Sequence, residues 1–168
     1  FRTGTLDHHG DFYSLDFITP QWSPGPIDAP DPKVDIAAVN PWMLRMAGEV
    51  ADGILVYPFH TRRFLEEVTI PRLEDGIGAV GRSRDDVVVI PTVLTCAYRN
   101  EEERERALRG VRMNLAFYGS TPAYRATLEM HGWGEIQAEL NRLTKEGRWD
   151  EIPACIDDEV LHTIALVG

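Results

Sequence analysis

From Lys33 onward the apolar positions follow two alternating rhythms. Val34-Asp35-Ile36-Ala37-Ala38-Val39 is a short, mostly apolar run bounded by prolines, the pattern of a buried strand. Asn40-Pro41 follows, with Asn suited to cap a helix and Pro to its first position. Trp42, Met43, Met46, Ala47 and Val50 then recur at helical spacing, and Ala51-Asp52-Gly53 closes the unit with a turn. The pattern repeats. Ile54-Leu55-Val56-Tyr57 predicts a second buried strand ending at Pro58, and Phe59-His60-Thr61 a loop with Thr61 as cap. Phe64, Leu65, Val68, Leu73 and Ile77 predict a helix bent or broken at Pro71. In the third unit one β-branched run from Val87 to Cys96 predicts a strand. Asn100-Glu101-Glu102-Glu103 has the form of a capping box and opens a helix that ends at Gly119.

The two ends depart from this rhythm. Residues 1–33 are punctuated by Gly4, Gly10, Pro20, Pro24, Gly25, Pro26, Pro30 and Pro32. They predict a hairpin-like excursion, with extended pieces at Asp11–Leu15 and Asp16–Thr19, and a proline-stiffened connection. After Thr121-Pro122 the text is helical to about Val160. Three divisions follow: a connecting segment over 1–33, three strand–helix units over 34–119, and a helical region over 120–168. Strands alternating with helices imply a parallel sheet with right-handed crossovers. A closed β/α barrel needs eight such units and typically about 250 residues. With three units in 168 residues, the chain is either a small open α/β sheet or part of a barrel. Phe1 opens without a Met and Ile164–Val167 runs to Gly168 without a polar tail, so both ends read as cuts in a longer sequence.

Composition narrows the function classes. Of the residues, 43% are hydrophobic, enough for a core, and 26% are charged, as on an ordinary globular surface. A net charge of −10 argues against nucleic acid and gives no help to a membrane reading. Arg62–Arg63 and Arg82–Arg84 are local exceptions, read as solvated helix ends. Cys96 and Cys155 stand far apart among apolar neighbours and are read as buried reduced thiols. No Asn-x-Ser/Thr acceptor and no long apolar run occurs, and the cytoplasm is the expected compartment.

In either architecture ligands bind where strands end at their C-termini. Three loops qualify: Val39-Asn40-Pro41, Pro58-Phe59-His60-Thr61, and Ala97-Tyr98-Arg99-Asn100. The first leads straight into a helix whose free N–H groups and dipole suit a phosphate, with Ala37 and Ala38 leaving room; Asn40 as a plain cap is the competing reading. His60 has the place of an acid, a base or a hydrogen-bonding residue, or of a plain loop residue. Tyr98 and Arg99 are read as facing solvent. Asp7-His8-His9 lacks a third metal ligand at suitable spacing, and His131 and His162 lie in helical text with no partner. GxGxxG, Walker, HExxH, CxxC and GxSxG signatures are absent.

Several phrases together resemble the luciferase-like monooxygenase superfamily. They are Ala37-Ala38-Val39-Asn40-Pro41-Trp42-Met43-Leu44, the run from Ala47 through Ala51-Asp52-Gly53 to Val56, Phe117–Tyr124 and His131-Gly132-Trp133. Gly147–Asp150, Ile156–Val160 and the opening Phe12–Pro26 add to the likeness, which points to the branch using the deazaflavin coenzyme F420. The resemblance implies a (β/α)8 TIM barrel of which this chain is an incomplete portion: strands five to seven, with C-terminal helices. Strands one to four and the eighth would be missing. It implies an oxidoreductase passing hydride between F420 and a small organic substrate. An FMN-dependent monooxygenase and a truncated non-catalytic α/β binding module are the alternatives. By position the cofactor phosphate would meet Ala38, Val39 and Asn40 with the helix start at Trp42, and Pro58 to His60 would border cofactor or substrate. Asn40 replaces the Gly or Ser many members carry before the Pro. No catalytic residue is assigned, because those groups come largely from the other half of the barrel. The expected partners are a small-molecule substrate and, through the apolar helical last third, a second copy in a homodimer. Neither nucleic acid nor a membrane is expected.

Overall fold

The structure, a computed structural model, describes residues 3–23 and 25–168. Pro24, one of the prolines read as stiffening the first connection, lies outside the described residues. The chain falls into two compact units, residues 1–33 and residues 34–168.

In the first unit, β1 (His8–His9) pairs antiparallel with β2 (Ser14–Leu15), and Gly10 N donates to the Tyr13 carbonyl at 2.9 Å to close the turn. The hairpin therefore starts earlier than Asp11. Asp16–Thr19 forms no strand but leads into a 3-10 turn, Pro20–Trp22, where Trp22 N donates to the Thr19 carbonyl.

The second unit begins with a parallel sheet of β3 (Asp35–Ala37), β4 (Gly53–Val56) and β5 (Val88–Pro91), in that spatial order. Helix α1 (Pro41–Val50) is the first crossover. Its start follows from the sequence: Asn40 Oδ1 accepts from Met43 N at 2.9 Å, and Pro41 takes the first turn. The second crossover is α2 (Arg62–Phe64), a π-helical turn over Leu65–Thr69, and α3 (Ile70–Ala79). The stretch passes through Pro71 without a break. The π turn just before it bonds Ile70 N to the Leu65 carbonyl, and this wider turn supplies the slack that a proline lacking its N–H requires.

The run from Val87 to Cys96 is two strands, not one. Thr92 N extends the β4 ladder to the Val56 carbonyl at 3.2 Å, after which the chain leaves β4. Thr95–Cys96 (β6) then pairs in parallel with β7, Leu166–Val167. The resemblance counted the strand after the third as missing; at that place in the order the chain forms only the two-residue β7. Between them run α4 (Glu101–Gly119), α5 (Arg125–Met130), α6 (Gly134–Lys145) and α7 (Asp158–Ile164). The α4 cap differs from a capping box by one residue. Asn100 Oδ1 accepts from Glu103 N, while the Glu103 carboxylate accepts from Arg99 N rather than from Asn100.

Two buried clusters hold the second unit. One joins the sheet to α1 and α3 through Leu44, Ala47, Ile54, Val56, Leu73 and Ile77. The other is helical and includes Phe59, Cys96, Leu115, Leu128, Leu140 and Leu161. The register puts Ile36, Ile54 and Val89 in one row, on the helix-covered face, and Ala37, Leu55 and Ile90 in the next. The second row is open: Leu55 is 42% exposed and Ile90 36%. Arg82 is half-buried and donates to the Gly48 carbonyl at 3.0 Å, while Arg84 is exposed, as expected, and donates to the Val87 carbonyl. Arg62 and Arg63 fit the solvated reading, pairing with Glu66 and Glu67 one turn on. Cys96 is buried and Cys155 half-buried, both free, and burial pushes the Cys155 thiol up. Among the described residues no helix is long and apolar enough to cross a membrane.

Candidate functional site

The loop after β4 is anchored at nearly every residue. Phe59 is buried in the helical cluster, and its carbonyl accepts from Thr127 Oγ1 at 3.5 Å. Thr61 is buried too; its Oγ1 accepts from Phe64 N at 3.1 Å, capping α2, and lies 2.8 Å from His131 Nε2. Between them, His60 Nδ1 lies 2.6 Å from the Tyr57 carbonyl oxygen. A carbonyl only accepts, so Nδ1 carries a proton, and in the neutral tautomer this selects, Nε2 is an acceptor.

His60 lines a shallow, solvent-open cleft with Ala38, Val39, Tyr57, Phe59 and Tyr124. The cleft stands at the C-terminal ends of β3 and β4. Tyr57 and Tyr124 stack with centroids 4.6 Å apart, and Tyr118 meets Tyr57 edge-on at 4.9 Å. Burial, reinforced by the neighbouring Tyr118 and Tyr124 hydroxyls, holds the Tyr57 phenol far above its ordinary value, so it stays protonated. Among the described residues, no Lys, Arg, Asp or Glu lines the cleft. The side chains lining the cleft are therefore uncharged and mostly apolar.

Of the six residues singled out from the sequence, Ala38, Val39 and His60 are brought together here. Asn40 stands beside them, its side chain committed to Met43 N. Pro58 is half-buried in the loop but does not line the cleft. Trp42 is 70% exposed and borders a separate surface hollow with Arg45, Met46 and Glu49. At the third loop, Tyr98 is half-buried against the helical cluster beneath the Arg104 guanidinium, 5.9 Å from its ring centre, rather than facing solvent.

His131, expected to lack a partner, bonds Thr61 and stacks on Trp133 at 4.6 Å. Burial and the nearby Arg63 charge push its pKa below the ordinary 6.5. Asp7 and His9 form an exposed pair at 3.0 Å, and among the described residues no cluster could hold a metal ion. Sequence reasoning missed Tyr124 and Thr127, which reach the cleft from the helical region. The only signal for Tyr124 was the Phe117–Tyr124 phrase, and Thr127 had none; nothing in local periodicity ties Tyr124 to Tyr57.

Residues 1–168 match the family described as Luciferase-like monooxygenase. The chain belongs to that family. It is 44% identical, over all of its own length, to an uncharacterized protein of Mycobacterium tuberculosis, half of which it covers. It is 27% identical to the 5,10-methylenetetrahydromethanopterin reductase of Archaeoglobus fulgidus, over 97% of this chain and 47% of that one. The solved coenzyme F420 dependent tetrahydromethanopterin reductase of Methanopyrus kandleri superposes with a TM-score of 0.70 at 23% identity, over 98% of this chain and 45% of that one. That likeness establishes the fold, an α/β luciferase-like barrel of which this chain carries a portion. The chain spans about half the length of the curated relatives it matches.

Proposed function

We propose that this chain is the C-terminal portion of an F420-dependent oxidoreductase acting on a small organic substrate. The observation that carries the reading is the cleft at the strand ends: aromatic, uncharged, and edged by the small residues Ala38 and Val39. The aromatic, uncharged character of this lining suits the apolar face of a flat tricyclic ring. The names of two relatives support the coenzyme: the F420 dependent reductase of Methanopyrus kandleri, and the F420-dependent glucose-6-phosphate dehydrogenase of Microbacterium testaceum, 33% identical over 49% of this chain.

The bound coenzyme supplies hydride chemistry; the chain's own part is placement. Ala38 and Val39 let a ligand approach the backbone, and His60 borders the ring. Asn40 fixes the turn by capping α1, so Trp42 contributes its place at the helix start rather than its indole. Among the described residues no cation of this cleft neutralises a phosphate, which would rest on backbone N–H groups of the turn. The homodimer and the small-molecule substrate stay part of this reading.

Fluorescence titration of the full-length protein with F420 tests it, with FMN as competitor. Saturable F420 binding that excess FMN leaves intact is the expected result. Preference for FMN would move the protein to oxygen-using flavin chemistry, and binding of neither would favour a non-catalytic module.

A further inference from the structure

The loop after β4 carries more restraint than a connecting loop needs. Phe59 and Thr61 are buried on one side, held by Thr127 and by the bond between Thr61 and His131. His60, between them, is only half-buried and lines the cleft together with Phe59. Its ring cannot rotate freely, because Nδ1–H is bound to the Tyr57 carbonyl at 2.6 Å. The Tyr57 ring is itself packed between Tyr118 and Tyr124. Orientation and tautomer of His60 are thus both set before any ligand arrives. Nε2 has no hydrogen-bond partner among the described residues.

We propose that His60 Nε2 is the polar specificity determinant of the cleft. It accepts a hydrogen bond from an uncharged O–H or N–H on the edge of a planar ring, while the aromatic walls take the ring's apolar body. The inference rests on the reading that this end of the strands binds cofactor or substrate, and it names the chemistry recognised there: neutral, flat and hydrogen-donating. An anionic edge is rejected by the neutral ring, whose Nε2 is an acceptor, and among the described residues no cation lines the cleft. A preset acceptor of this kind discriminates strongly, because a ligand without the donor leaves Nε2 desolvated and unpaired.

The test uses the full-length protein labelled with 15N-histidine, with 4-methylphenol, 4-methylanisole and 4-methylbenzoate as probes. In the free protein at about pH 8, histidine 15N spectra are expected to show His60 protonated at Nδ1. On titration, 4-methylphenol should bind roughly three- to tenfold more tightly than 4-methylanisole, the worth of one neutral hydrogen bond. It should shift the Nε2 signal, and 4-methylbenzoate should bind most weakly. His60→Phe should erase the phenol preference while keeping the apolar contact. An Nε2-protonated ring in the unsubstituted protein, or equal binding of phenol and anisole, would overturn the proposal whatever the variant does. The phenol preference is read without coenzyme. Failure of F420 to bind therefore sinks the coenzyme assignment alone, and loss of the preference sinks only the acceptor.

Discussion

Two histidines far apart in sequence, one within a short loop and one packed against it, differ in kind. His60 faces the cleft, whereas His131 holds the loop from behind through Thr61. In the His131 tautomer protonated at Nδ1, the Thr61 hydroxyl donates to Nε2 while accepting from Phe64 N. Burial, with Arg63 adding to it, lowers the pKa of His131 in the folded chain, against weaker opposition from Glu159 and Glu67. The unfolded chain, with the ordinary value of 6.5, then binds the proton more readily. The neutral ring's stabilising contribution is complete above that value and is lost as pH falls through the depressed one. Thermal midpoints followed from about pH 8 down to about pH 5 should fall more steeply for the natural protein than for His131→Gln. Parallel curves would show that the ring carries no such linkage. At this scale the sequence was half legible. Asn40 and Thr61 as caps follow from residue type and local spacing. The partner of His131 does not, since a side-chain bond across the fold leaves no trace in periodicity.

Among the elements, α1 and α3 meet more closely than any other pair of helices. Their backbones touch at Gly48 and Gly76: a methyl on Gly48 would run into the Leu73 carbonyl, and one on Gly76 into the Arg45 carbonyl. Backbone cannot yield as a side-chain tip can. Gly76→Ala should therefore destabilise by about 1–3 kcal/mol in urea unfolding. Gly78→Ala, on the same helix but facing open space, should instead gain about 0.5–1 kcal/mol from helix propensity. Equal effects at the two positions would contradict the close crossing. The strands and helices themselves were readable, because each is written in a local period. The breaks were not. Whether Val87–Cys96 is one strand or two depends on which neighbour each half finds, and β7 is only two residues long. The π turn before Pro71 is likewise a tertiary accommodation of a residue that in isolation predicts a break.

For the molecule as a whole, the open row of Ala37, Leu55 and Ile90 is the feature that a parallel sheet rarely tolerates, since such sheets are normally covered on both faces. Composition could not reveal this, because 43% hydrophobic residues suffice for a core whichever face they cover. The 168-residue chain should bind the dye ANS through this row, and Leu55→Lys should reduce the fluorescence while changing stability by no more than about 0.5 kcal/mol. In a longer protein that supplies the facing strands, the same lysine becomes an unpaired buried charge and should cost more than about 3 kcal/mol. The contrast between the two measurements reports directly on whether the row lies inside a closed barrel.

The pairing of Thr95–Cys96 with Leu166–Val167 bears on the order of events in time. A ribosome releases the first strand long before the second exists, and the whole helical region must emerge in between. Until then β6 has an unsatisfied edge, and the helical cluster that buries Cys96 has one wall missing. The loop to be closed is long and its closure cost is borne before any contact rewards it, so this seam should be the last to form and the first to open.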